Sequence, residues 1–278
     1  MIIGIGIPFG RRKAGGGSTN TARTQAFLTA TGITDATIIS ALNAMDNSLI
    51  SAGLLPSGTG AGKIKALYPI VGGTAATHKF NFVNPLDTNA AFRLTFFGGV
   101  THNSNGMTGN GTNGYANTFL NADGLMNIDS LSFGFYSRTN VTENSYDMGT
   151  FDSGSSPANC QNMIQARFVD LMWGAVNQDD SAATPASTNS FGFHAISRIN
   201  STQEIRNIRG TNTTYSRTSK DVPNLNTFLM ALSFNNSPFG YSSRNYAYYY
   251  LSDGLNTTEL NSLNTLIVDF QTTLGREV

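Results

Sequence analysis

Glutamate occurs four times in this chain, at Glu143, Glu204, Glu259 and Glu277. Glu143 and Asp147 bracket Asn144, Ser145 and Tyr146, where a loop enters the strand-like stretch SYDMGTF. Two carboxyls held a few ångströms apart can serve as acid and nucleophile on a glycosidic bond. No run of regularly spaced acids surrounds them, and they are not adopted as a catalytic pair. Glu259 is committed to a helix cap and Glu277 lies in the tail, so no catalytic residue is assigned.

Other constellations are equally sparse. His78, His102 and His194 are scattered, without the HxH or HExxH spacing that would gather them on zinc, and read as hydrogen-bonded strand or loop residues. GNGTNG and GTNGYAN are glycine-rich, yet no Gly-Lys-Ser/Thr follows, which excludes a phosphate loop. Asp179-Asp180 in VNQDDSA can join loop carbonyls around calcium, although a solvated turn is the preferred reading and no cofactor is assigned. The single cysteine, Cys160, forms no internal disulfide and reads as an inert small residue.

Sugar recognition needs flat aromatic platforms beside amides or carboxylates. Trp173, Tyr115, Tyr136, Tyr215 and Tyr241 are the candidates, with Trp173 in LMWGAV reading first as a core residue. In NYAYYYLS, strict alternation places Tyr246, Tyr248 and Tyr250 on one face and Tyr249 on the other. No glycan-binding residue is assigned from these alone.

Three zones must position these residues. Residues 1–20 open with MIIGIGIPF, uncharged and rich in β-branched Ile, followed by Arg11, Arg12, Lys13 and a Gly triplet. The basic step follows the apolar run, the reverse of a secretory signal, and the run is far short of the roughly 20 residues that cross a bilayer. Two readings stand for Ile2, Ile3, Ile5, Ile7 and Phe9: a strand completing the chain's own sheet, or one that plugs into another chain and anchors this one. Residues 21–55 are helical. TARTQAFLTATG stops at Gly32, and Ile38, Leu42, Met45 and Leu49 form an apolar stripe, with Thr34 placed to cap that second helix and Gly53 to end it.

Residues 56–278 read as a β-rich domain closed by a helix. KIKALYPIVG, HKFNFVN, AFRLTFFGG, SLSFGFYSR, MIQARFV, LMWGAVN, FGFHAISRI, EIRNIRG, TFLMALSF and NYAYYYLS are candidate strands separated by Gly, Asn, Asp and Ser. Leu131, Phe133 and Phe135 share one strand face. Many short strands without interleaved helices predict an antiparallel jelly-roll sandwich. Asn256 and Glu259 form a capping box, and Leu260, Leu263, Ile267, Phe270 and Leu274 make the stripe of a final helix.

Only 12% of residues are charged, with 17 acidic against 17 basic side chains. That balance offers no electrostatic footprint for nucleic acid or an anionic membrane. A neutral surface rich in Asn, Thr and Ser suits neutral partners, carbohydrate among them.

The aromatic strand running through Asp253-Gly254-Leu255 into a short final helix resembles the end of the concanavalin A-like (laminin-G/lectin-type) jelly roll. ATGITDATIISALN, KIKALYPIVGGTAATHKFNFVNPLDTNAAFRL, GTNGYANTFLN and YSSRNYAYYYLSDGL…FQTTLGR together resemble a family of structural proteins of Bacteroidetes bacteriophages, over most of residues 27–276. The resemblance implies a virion surface component of spike, head-fibre or tail-fibre type with a lectin-like head, usually a homotrimer. It is assembled in the host cytoplasm and contacts other virion proteins through its N-terminal strand, with host surface polysaccharide as the candidate ligand. Glucanase relatives of that fold carry acids as E-x-D-x-E or E-x-D-x-x-E, a motif this chain lacks. The expectation is therefore a non-enzymatic attachment protein. Its alternatives are a purely architectural vertex or cementing protein and, less favoured, a polysaccharide-degrading enzyme.

Overall fold

The computed structural model describes residues 20–154 and 159–278; Ile2, Ile3, Ile5, Ile7 and Phe9, the expected anchor, lie outside the described residues. Two helices come first, α1 (Ala22–Thr31) and α2 (Ala36–Ser51). Thr21 caps α1 by accepting from the Thr24 amide, and Gly32 ends it in the left-handed region. Asp35, rather than Thr34, caps α2: its carboxylate accepts the Ile38 amide. Gly53 follows the helix end at a φ of 69°.

The sandwich begins with β1 (Ile64–Tyr68), a four-residue helix α3 (Ala75–His78), β2 (Thr95–Phe97), β3 (Thr101–Asn103) and β4 (Gly106–Thr108). It continues through β5 (Tyr115–Asn121), β6 (Leu131–Ser137), β7 (Met148–Asp152), β8 (Cys160–Phe168), β9 (Leu171–Gln178) and β10 (Ala182–Ala186). Next come β11 (Gly192–Asn200), β12 (Gln203–Ile208), β13 (Thr211–Ser216), β14 (Asn226–Leu229), β15 (Leu232–Phe234) and β16 (Ser237–Phe239). β17 (Asn245–Ser252) then leads into α4 (Thr257–Thr273). Asn256 and Glu259 make the expected capping box of α4.

One sheet runs β13-β12-β11-β6-β17-β4-β3, with β1 also on β17; the other runs β10-β9-β8-β7-β14-β5-β2, with β15 and β16 attached at β7. Every strand pair is antiparallel except β15 with β7. This is the jelly-roll-like sandwich that the strand pattern predicted. Its inner core packs Leu131, Phe133 and Phe135 of the first sheet against Met148, Ile164 and Val176 of the second.

The outer face of the first sheet is closed by helices. Phe27 of α1, Leu42 and Leu49 of α2, and Leu263, Ile267 and Phe270 of α4 cover Tyr136, Phe193, Tyr248 and Tyr250. The helical segment therefore buries its apolar stripe on the sandwich itself. A fully buried ion pair, Arg23 with Asp46, ties α1 to α2, and Arg23 also donates to the Pro56 carbonyl at 2.9 Å.

Three local departures have clear causes. HKFNFVN forms no strand, because the Asn81 side chain takes over a strand's pairing. Its carboxamide oxygen accepts the Leu67 and Val83 amides at 3.0 Å each, and its NH2 donates to Ala91 at 3.1 Å. TFLMALSF breaks at Met230, whose φ of 63° turns the chain from β14 into β15. In β17 the register shifts between Tyr246 and Tyr248, a bulge that moves Tyr246 to the inner core beside Tyr249. The expected common face of Tyr246, Tyr248 and Tyr250 is thereby corrected: only Tyr248 and Tyr250 share the helix-covered side.

Candidate functional site

Among the described residues no helix lies over the outer face of the second sheet. Strand register decides what lies there, since residues directly opposite across a pair point the same way. Trp173 of β9 stands opposite Gln165 of β8 and Ala183 of β10. Phe151 of β7 stands opposite Gln161, Phe228 of β14 opposite Asn117, and Tyr115 of β5 opposite Phe97 of β2. A small cluster of Met163, Ala175 and Leu232, flanked by Tyr146, Phe151 and Trp173, forms the floor.

Aromatic rings therefore run across the strands rather than along one of them. Phe97 stacks on Tyr115 at 4.8 Å and 12°, and Tyr115 lies 4.9 Å from Phe228 and 6.3 Å from Tyr241. Further along, Phe151 meets Phe234 edge-on at 5.1 Å, and Phe239 lies 6.2 Å from Tyr146. Phe168 lies 6.2 Å from Trp173 at the far end. Phe97, Phe234 and Phe239 are 41%, 36% and 57% exposed, unusual for phenylalanine. Tyr146 and Tyr115 have phenols pushed above their ordinary range by burial, helped in Tyr115 by neighbouring Tyr241, so both hydroxyls stay neutral.

Amides supply the polar contacts. The Gln165 side chain donates to the Ser145 carbonyl at 2.9 Å and to Asn144 at 3.4 Å, which fixes it beside Trp173. The indole Nε1 of Trp173 is shut off from solvent and has no hydrogen-bond partner among the described residues. Of the five aromatic candidates, Trp173, Tyr115 and Tyr241 come to this face. Tyr136 is buried on the opposite sheet, its hydroxyl accepting from the Val278 amide at 3.1 Å, and Tyr215 packs 5.4 Å from the Arg206 guanidinium.

The sequence-level acids are otherwise engaged. Asp147 is fully buried, accepting from Arg244 at 2.9 Å, the Ala166 amide at 2.5 Å and the Tyr246 hydroxyl. Glu143 faces the same Arg244 at 3.0 Å and accepts from the Ser242 and Ser243 hydroxyls at 2.7 Å each. Burial pushes the Asp147 carboxyl up, and the adjacent guanidinium opposes it. This cluster joins the start of β17 to the start of β7, a strut across the sandwich. Glu204 and Arg206 make a second strut: Arg206 reaches the Gly174 carbonyl at 2.6 Å, and Glu204 accepts the Val176 amide at 3.1 Å. Asp180 pairs with Arg217 at 2.5 Å and Asp179 with Lys220 at 3.6 Å, so the dipeptide's carboxylates already have cations.

Sequence reasoning missed one association. His78 and His102 meet Nδ1 to Nδ1 at 3.0 Å, and the Gly73 amide donates to His78 Nε2 at 3.2 Å. His78 must then carry its proton on Nδ1 and donate it to His102. Burial, with His102 and Arg276 nearby, lowers His78 to about 3. His194 is buried elsewhere, on Phe135. Among the described residues no three His, Cys, Asp or Glu side chains gather as a metal site, and no helix is long and apolar enough to cross a membrane.

No protein-family model matches the chain, and no curated protein matches it either. Solved structures match in fold. A Trypanosoma rangeli sialidase in complex with the inhibitor DANA aligns at a TM-score of 0.50 and 11% identity, covering 84% of this chain and 38% of that one. Domain 4 of AbnA, a GH43 extracellular arabinanase from Geobacillus stearothermophilus, in complex with arabinotriose, aligns at 0.45 and 10%, covering 73% of this chain and 98% of that one. The CBM40 of a Ruminococcus gnavus IT-sialidase aligns at 0.39 and 11%, covering 51% and 86%. This chain thus spans about two fifths of the sialidase it matches, and the likeness is one of β-sandwich fold.

Proposed function

We propose that this chain is a surface component of a bacteriophage virion, of spike or fibre type, whose lectin-like sandwich attaches to glycan on the host surface. The observation that carries the glycan reading is the face of the second sheet that no described helix covers, where Trp173 stands beside the Gln165 amide and Tyr115 lies 6.3 Å from Tyr241. Carbohydrate-binding sites pair flat apolar surface with a few placed hydrogen-bonding groups, and this face offers both. The β-sandwich likeness to proteins named for glycans or glycan cleavage supports it as fold only. The phage assignment rests on the four sequence segments noted above, and residues 1–20 are the proposed anchor to other virion proteins, in a homo-oligomer with the trimer favoured. The virion surface is the proposed location. An enzymatic role is not adopted, because Glu143 and Asp147 are both committed to Arg244.

A second reading, an architectural vertex or cementing protein, is favoured by one observation: the most exposed aromatic residues among those described, Phe97, Phe234 and Phe239, have no polar handle. One experiment separates the two. Fluorescently labelled full chain is added to host cells with and without soluble host surface polysaccharide. Saturable binding abolished by the polysaccharide supports attachment. Folded protein that binds no cells rejects it and leaves the architectural reading.

A further inference from the structure

Resting on the attachment reading, the structure carries a statement about which glycans this face takes. Tyr146, Phe151, Leu232, Phe234 and Phe239 enclose a slot of about 210 Å³. That is below the roughly 300–1,000 Å³ of a site for a whole drug-sized ligand, so the slot takes a substituent rather than an oligosaccharide. Apart from the Tyr146 hydroxyl its lining side chains are all carbon. Phe151 and Phe234 meet at 65°, Phe234 and Phe239 at 50°, and Tyr146 and Phe239 at 49°. Rings tilted in this way form a box around a small apolar group and leave no paired flat surfaces to sandwich a pyranose. A hydroxyl placed there would lose its water without a replacement hydrogen bond, whereas a methyl would be favoured.

Charge narrows the class further. Every basic side chain described on the second-sheet side is already paired: Arg167 with Asp170 at 2.7 Å, Arg217 with Asp180, Lys220 with Asp179, and Arg244 with Asp147 and Glu143. Among the described residues Arg138, Arg198, Arg209 and Arg276 have no carboxylate partner, and none is on this face. Arg138 donates to the Arg276 carbonyl beyond α4, Arg198 and Arg276 are buried on backbone carbonyls, and Arg209 lies in the turn after β12 against Gly192 of the first sheet. A sugar carboxylate or sulfate arriving at the aromatic face would find no free cation among the described residues.

We infer that the second-sheet face binds an uncharged glycan bearing methyl-terminated substituents, N-acetyl or 6-deoxy, with that substituent seated in the Phe234–Phe239 slot. The test uses the full chain and four probes: an N-acetylglucosamine trisaccharide, a rhamnose trisaccharide, maltotriose and 3′-sialyllactose. Saturation-transfer NMR reads which sugar protons touch the protein, and titration reads affinity. The expected result is binding of the first two, strongest saturation on their methyl protons, and weak or no binding of the others. Phe239→Ser, at an exposed position, should weaken the binders by about tenfold, the size of one lost apolar pocket contact. Phe234→Ser is the second variant.

Equal binding of maltotriose, preference for sialyllactose, no binding of any probe, or an unchanged affinity in both variants overturns the inference. So does a concentration-dependent oligomer in sedimentation that Phe239→Ser dissolves, which would show a second copy filling the slot. Polysaccharide-dependent binding to host cells without methyl preference would overturn this inference alone. Absence of cell binding would instead overturn the attachment reading on which it rests.

Discussion

Replacing Arg244 by methionine tests the claim that Glu143 and Asp147 are structural. In the folded chain Arg244 is fully buried, contacts Asp147 at 2.9 Å and Glu143 at 3.0 Å, and donates to the Val141 and Arg167 carbonyls at 2.9 and 3.0 Å. Arg244→Met fills a similar volume but leaves Asp147, with no exposed surface, lacking its counter-charge. Removing one partner of a buried ion pair costs about 3–5 kcal/mol. At about 2–4 °C per kcal/mol for a domain of this size, the midpoint of thermal unfolding should fall by about 6–20 °C. Urea unfolding at pH 7 reads the free energy directly. The sign of the pH effect is fixed by the same argument. Without the guanidinium, burial raises the folded-state pKa of Asp147 above its unfolded value, so the folded variant takes up a proton first and its deficit shrinks as pH falls toward 4. Adding Asp147→Leu to Arg244→Met should restore most of the loss, since Tyr246 keeps its 2.6 Å bond to Ser242. A single variant within 1 kcal/mol of the parent, or a deficit that grows on acidification, would refute the strut.

The other predictions concern buried polar groups. His78 and His102 are both held neutral by burial, so their folded pKa values lie below the ordinary 6.5. Their contribution to stability is full above pH 6.5 and is lost as pH falls from there toward the His78 value of about 3. Urea titrations between pH 7 and 4.5 should show this slope, and His78→Gln should shallow it by at most about 1.4 kcal/mol per pH unit. The two helix-facing tyrosines should respond oppositely to loss of their hydroxyls. Tyr250→Phe breaks a 2.9 Å bond to Ser132 and should cost about 1 kcal/mol, whereas the buried Tyr248 hydroxyl has no hydrogen-bond partner among the described residues, so Tyr248→Phe should be neutral or stabilising by about 1 kcal/mol, read by urea unfolding.

How far the sequence was legible depended on whether the signal was local. The α4 capping box and stripe, the Gly32 stop and the alternation of Leu131, Phe133 and Phe135 all follow from neighbours in the chain, and each is found as read. Asn81 and the bulge before Tyr248 were not legible, because a side chain imitating a strand and an extra residue in a register leave no trace in hydropathy. Buried polar strand residues carried no sequence signal either. Arg198, Glu204 and Arg206 are fully buried and spend their groups on Val176, Gly174 and each other across the sandwich. The aromatic face was the least visible feature. Trp173, Phe151, Phe228, Tyr115 and Phe97 come from five strands, and only their pairing brings them onto one surface.

The asymmetry of the two sheets bears on where a ligand would sit. The first sheet is sealed by α1, α2 and α4, whose apolar stripes are already spent on Tyr136, Phe193, Tyr248 and Tyr250. The second sheet keeps Phe97, Phe234 and Phe239 in reach of solvent. The described part of the chain begins at Asn20, whose side chain bonds Gln25 of α1 and Asn43 of α2, on the helical layer and so across the sandwich from the aromatic face. Under the proposed attachment reading, a ligand on the second sheet therefore competes with neither the helices nor the sheet they seal, and substitutions at Phe234 or Phe239 should leave the packing of α1, α2 and α4 unchanged.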